Sequence, residues 1–109
     1  MNNATFDVTA IGNAIVDVIA QADDALLAAH KLPKGAMNLI DAEMAEKLYS
    51  VMGPGKEASG GSAGNTIAGI AMLGGKTAYI GKVADDQHGR IFTHDIRAAG
   101  VTYDTQPLA

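Results

Sequence analysis

The stretch Ser59-Gly60-Gly61-Ser62-Ala63-Gly64-Asn65-Thr66, running on to Gly74-Gly75, constrains this chain more than any other. A glycine pair lets backbone approach a ligand or another segment closely, because no side chain stands in the way. The residues after it read as a helix, with Ser62 as the expected N-cap. The first N–H groups of a helix have no partner inside it and face whatever lies in front. Gly64 and Gly69 each weaken such a helix by roughly 1 kcal/mol relative to alanine. With Ala63, Ala68 and Ala71 they leave it thin enough to lie tight against a sheet. Asn65 is expected to be a buried polar side chain. Two readings stand side by side: a glycine turn leading into a packed core helix, or a cradle for a polar ligand.

Around this stretch, apolar runs alternate with amphipathic ones. Phe6 to Gly12 reads as a buried strand, and the apolar pattern continues through Ile15, Val16, Val18 and Ile19. Asn13 and Asp17 interrupt it. They lie four residues apart, so they share a face of an extended or a helical backbone. An acid and an amide in an apolar segment need partners, either nearby turns or the hydroxyls of a polar ligand. Asp23 caps a short helix that Lys31 to Gly35 terminates, with His30 on its solvent side. Ala36 to Ile40 reads as a short strand. Asp41 caps an amphipathic helix with Met44, Leu48 and Val51 on one stripe, stopped by Gly53-Pro54-Gly55. Lys56 to Ala58 is a brief strand delivering the glycine turn.

Beyond the central helix, Lys76 to Val83 reads as a strand and Asp85 to Gly89 as a polar turn. A helix with Phe92, Ile96 and Ala99 on its core stripe follows, ended by Gly100. Val101 to Tyr103 starts another strand. Strands alternating with helices predict an α/β fold with a mainly parallel sheet. The 109 residues suffice for one small domain. A net charge of −4 argues against a nucleic-acid or anionic-membrane footprint. There is no cysteine, hence no disulfide and no thiolate metal site, which fits a cytoplasmic setting. The N-terminus has no signal-peptide pattern, and no apolar run is long enough to span a bilayer.

Two apparent nucleotide motifs fail on spacing. Gly74-Gly75-Lys76-Thr77 looks like a P-loop, but the position six before Lys76 is Ile70, and Lys76 opens a strand rather than a helix. Gly60, Gly61 and Gly64 miss the dinucleotide fingerprint, because Ser59 stands where its first glycine belongs.

The set Gly60-Gly61-Ser62-Ala63-Gly64-Asn65-Thr66, Gly74-Gly75 and Ile80 to Gly89 resembles the N-terminal signature of the PfkB, or ribokinase-like, carbohydrate kinases. Gly12 to Asp17 resembles the first-strand motif of the same family. The resemblance implies a three-layer α/β/α sandwich with a mainly parallel sheet and a small β lid over the substrate. It implies transfer of the γ-phosphoryl of ATP, as its Mg2+ complex, to a hydroxymethyl group of a sugar or nucleoside. Carried over, Asn13, Asp17, Gly60, Gly61, Ser62 and Asn65 fall at substrate-binding positions. Partners implied are a small-molecule sugar or nucleoside, with neither nucleic acid nor membrane, and a homodimer through the lid is compatible.

The chain also departs from the pattern. Such kinases are much longer, and their catalytic base lies in a later G-x-G-D motif whose helix N-terminus forms an anion hole. That motif is absent here, so no catalytic residue and no metal ligand is assigned. Residues 1–109 are expected to be the N-terminal, substrate-binding portion with part of the lid, lacking the ATP-binding and catalytic portion and inactive alone. Ribokinase-like members tend to carry lysine after the glycine pair. Ser62 in its place resembles adenosine kinases, so a nucleoside acceptor is expected, with a ribokinase- or fructokinase-type sugar as the alternative. Two rivals are a non-catalytic sugar-binding domain and a Rossmann domain of an oxidoreductase.

Overall fold

A computed structural model describes residues 4–109. In chain order the elements are β1 (Val8–Ile11), β2 (Ile15–Ala20), α1 (Asp24–Ala29), α2 (Ala42–Val51), β3 (Gly55–Gly60), α3 (Ser62–Met72), β4 (Thr77–Ile80) and α4 (Gln87–Ala98). The fold is α/β with a parallel sheet: β1 pairs with β4 in the register Val8 to Thr77 through Ile11 to Ile80. The ladder extends through parallel bridges from Ala78 to Thr102 and from Ala84 to Leu108. A second two-stranded sheet joins β2 and β3.

The chain divides into two compact units. One comprises the described residues up to Asp17 together with Glu57–Ala109, and holds β1, α3, β4 and α4. Its core is Ile67, Tyr79, Phe92, Ile96, Val101 and Tyr103. The three rings stack at centroid separations of 5.6 to 6.0 Å in tilted and edge-on geometries, arrangements aromatic quadrupoles favour. The Tyr103 hydroxyl donates to the Gly81 carbonyl at 2.6 Å. Large apolar side chains remain exposed at Ile11, Met72, Leu73 and Ile80. The other unit, Val18–Lys56, carries α1 and α2.

Local chemistry explains most boundaries. Asp23, Asp41 and Asp86 each accept from a backbone N–H three residues on, at Leu26, Met44 and Gly89, so they close the open donors of α1, α2 and α4. At the far end of α4, Gly100 takes φ +99°, its N–H bonds Arg97 O, and Val101 N–H bonds Ile96 O. This is a Schellman closure. Gly74 closes α3 the same way. At α1 the left-handed position falls on Lys31, at φ +55°.

Four expectations are corrected. β1 is mostly exposed rather than buried, because, of its residues, Ala10 alone packs against the core. Ala36 to Ile40 forms no strand: it is exposed coil, because among the described residues no strand pairs with it. Ser62 is not the N-cap of α3. Gly61 is, at φ +92° without a side-chain cap, and Ser62 is the first helical residue, its carbonyl accepting from the Thr66 hydroxyl. Asn65 is exposed rather than buried, since the buried positions of α3 are Gly64 and Ile67.

Candidate acceptor site at the glycine turn

The carboxyl ends of β1 and β4 meet the start of α3. Gly12 continues β1, and its N–H bonds Ile80 O at 3.1 Å. A methyl group on Gly12 would stand 2.9 Å from Ala63 Cβ and 3.2 Å from the Tyr79 hydroxyl. Gly81 continues β4, and a methyl there would stand 2.8 Å from Gly12 O. Only glycine lets these three segments close up. In open α/β sheets this carboxyl edge is where ligands bind.

The glycine pair sits on the same edge. Gly60 is buried, and a Cβ there would meet the Asp17 carboxylate, at 2.8 Å from Cγ and closer still to Oδ2. The Asp17 head group therefore lies on Gly60. At Gly61 the same test finds Asn13 O at 3.2 Å and Ile15 Cδ1 at 3.5 Å. Gly61 O accepts from Asn65 N at 2.8 Å, which begins the ladder of α3. Asn13 and Asp17 are both exposed, as are Ile15 and Ile19, while Val16 and Val18 are half-buried. The alternation puts Asn13 and Asp17 on one face, as their spacing predicts.

So the structure brings Asp17 against Gly60 and Asn13 against Gly61, and ties Asn65 to Gly61 through the main chain. Asn13, Asp17, Ser62 and Asn65 present exposed side chains, leaving their polar atoms available to water or a ligand. A carboxylate offers acceptors for two hydroxyls, and an amide offers both donors and acceptors.

Sequence reasoning passed over Asp95. It lies on α4, three residues after Phe92 and one before Ile96, on the stripe assigned to the core. An acid on an apolar stripe was the available signal. Asp95 Oδ2 accepts from the Ser59 N–H at 2.9 Å, one residue before the glycine pair. Its Oδ1 lies 3.2 Å from His94 Nδ1. The Ser59 N–H, and after it His94, hold the Asp95 carboxyl below the usual aspartate value of 3.8. Burial raises the Tyr79 and Tyr103 hydroxyls above theirs.

An open groove of about 710 Å³ runs elsewhere, between α4 residues such as Arg90 and Arg97 and the segment Thr105–Pro107. None of the predicted site residues lines it. Among the described residues no cluster of His, Asp or Glu is placed to hold a metal ion, so none of these side chains is given a role toward magnesium.

Comparison with known proteins agrees with this architecture. The family model for pfkB family carbohydrate kinases matches residues 35–108. The chain belongs to that family. It superposes on an adenosine kinase from Sinorhizobium meliloti with a TM-score of 0.80 and 67% identity, covering 96% of this chain and 32% of that one. A probable sugar kinase from Rhizobium etli gives a TM-score of 0.79 and 65% identity, over 94% of this chain and 31% of that one. A 5-dehydro-2-deoxygluconokinase from Halalkalibacterium halodurans is 50% identical over 49 residues, 45% of this chain and 14% of that protein. The chain thus spans about a third of the solved kinases it matches.

Proposed function

We propose that the complete polypeptide carrying this sequence is an ATP-dependent kinase of a ribosyl nucleoside, adenosine above all, and that this chain supplies the acceptor side of its active site. The observation that carries the reading is the Asp17 carboxylate lying on the buried Gly60 of the glycine turn, at the carboxyl edge of the parallel sheet. Asp17 accepts from the vicinal hydroxyls of the ribosyl ring, and such charge-assisted bonds are each worth about 1.5–3 kcal/mol. Asn65 and Asn13 bond the remaining hydroxyls. Gly60 and Gly61 let the ring lie against backbone. Ser62 is short and neutral, where a lysine would place a cation and three donors, so it leaves room for a base.

ATP, as its magnesium complex, supplies the phosphoryl group, and the residues for that half and the catalytic base lie outside this chain. With ATP bound, the acceptor hydroxyl would take the γ-phosphoryl group, its proton passing to the catalytic base outside this chain and ADP leaving. The 67% identity to the S. meliloti adenosine kinase across nearly the whole chain supports the nucleoside. The 50% identity over 49 residues to a 5-dehydro-2-deoxygluconokinase supports a sugar acceptor as the second reading. Measuring kcat/KM for adenosine, ribose and fructose on the complete polypeptide decides between them. A preference for adenosine is expected. Preference for ribose or fructose overturns the nucleoside reading, and no turnover with any acceptor leaves a binding domain.

A further inference from the structure

We propose that Asp95 is a positioning residue for the acceptor site: from α4 its carboxylate holds the Ser59 N–H and so sets where Gly60 and Gly61 stand. The inference rests on the acceptor-site reading above and adds a residue outside the glycine-turn motif.

Three observations carry it. First, β3 pairs with β2 alone among the described strands, so one of its edges has no strand to satisfy its N–H groups, and a partly buried donor there needs another partner. Asp95 Oδ2, 36 residues away in sequence, provides it at 2.9 Å. Secondly, the mount is rigid. Phe92 and Ile96, flanking Asp95 on its helix, are 1% and 3% exposed and locked in the aromatic core. The helix start is fixed as well, because a Cβ on Gly89 would strike Ala84 O. Thirdly, the same two elements meet again two residues earlier in β3, where Glu57 Oε1 lies 3.7 Å from His88 Nε2.

The geometry leaves Gly60 little freedom. It is the next residue after the tethered Ser59, it is buried, and the Asp17 head group rests on it. Gly61 follows, and its carbonyl starts α3. Releasing Ser59 lets the turn move away from Asp17 and Asn13 while leaving the core of the domain in place. An acceptor bound across Asp17 and the turn then loses contacts, and acceptor binding suffers before phosphoryl transfer does.

The test compares wild type, Asp95→Asn and Asp95→Ala in the complete polypeptide. Amide hydrogen exchange is read at Ser59 to Asn65, and KM and kcat are measured for adenosine. In Asp95→Ala, Ser59 exchange and acceptor KM should both rise roughly tenfold, with kcat changed less than about threefold. Asp95→Asn keeps the shape and an acceptor oxygen, so it should restore most of both. It also keeps the test open if the alanine variant fails to fold. Ser59 exchange at the wild-type rate in the alanine variant overturns the tether. Faster Ser59 exchange with unchanged KM overturns the positioning role. Where Asp17→Asn also leaves the adenosine KM at the wild-type value, the fault lies in the acceptor-site reading instead.

Discussion

Replacing Gly60 with alanine tests the site at its tightest point. The added methyl would lie 2.8 Å from Asp17 Cγ and 3.2 Å from Oδ1, where carbon atoms settle at about 3.5–4.0 Å. The carboxylate must therefore retreat by roughly 1 Å. Asp17 is exposed, so its head group can swing away, and the stability cost should stay near that of an off-rotamer side chain, about 0.5–1.5 kcal/mol. Binding responds more strongly. Losing one charge-assisted bond to an acceptor hydroxyl costs about 1.5–3 kcal/mol, or roughly ten- to a hundredfold in kcat/KM. Gly69→Ala is the matched control. It lies in α3 with nothing within 4 Å of the new methyl, so it should raise stability by up to about 1 kcal/mol and leave kinetics alone. The assay is steady-state kinetics of the complete polypeptide beside urea unfolding of each variant. A Gly60→Ala protein that folds normally and keeps wild-type kcat/KM would refute the reasoning.

Other expected outcomes are more local. Lys31→Gly removes a side chain from the left-handed position after α1 and should stabilise by about 1 kcal/mol; a loss in urea midpoint contradicts it. Tyr103→Phe deletes the hydrogen bond to Gly81 O within the core and should cost about 1–3 kcal/mol in the same experiment. Because the Ser59 N–H depresses the Asp95 carboxyl, the stability that bond gives is complete above the ordinary aspartate value of 3.8 and is lost as pH falls through the lower native value. The stability gap between wild type and Asp95→Asn should therefore narrow as the pH falls through the native Asp95 value. A gap that widens in acid would count against that sign.

What could be read from the sequence divides by the range of the interaction. Asp23, Asp41 and Asp86 cap helices through bonds spanning three residues, so residue type and position suffice to find them. The glycine turn was visible because Gly60-Gly61 makes sense only where backbone must come close. Asn13 and Asp17 were visible through spacing on one face. Ser62 misled because cap preference was weighed without the backbone angle of Gly61, and that angle starts the helix one residue early. Ala36 to Ile40 misled because an apolar run becomes a strand only when another strand lies beside it. Asp95 was harder to read: an acid on an apolar stripe signals a partner, but that partner is 36 residues away and no local pattern names it.

The pairing of β1 with β4 sets a schedule for synthesis. Lys76 N–H bonds Asp7 across 69 positions, and Val8 waits for Thr77 to find its neighbour. At elongation rates of about 5–20 residues per second, that wait is roughly 3–14 s. Throughout it the nascent Val8–Ile11 segment is an unpaired apolar strand, open to chaperones or to another chain. Asn13 and Asp17 leave the ribosome early as well, long before Gly60 and Gly61 are made. The proposed acceptor site is therefore assembled late, by the return of the chain to its own beginning, and a pause in translation before Thr77 would prolong the time β1 stands unpaired.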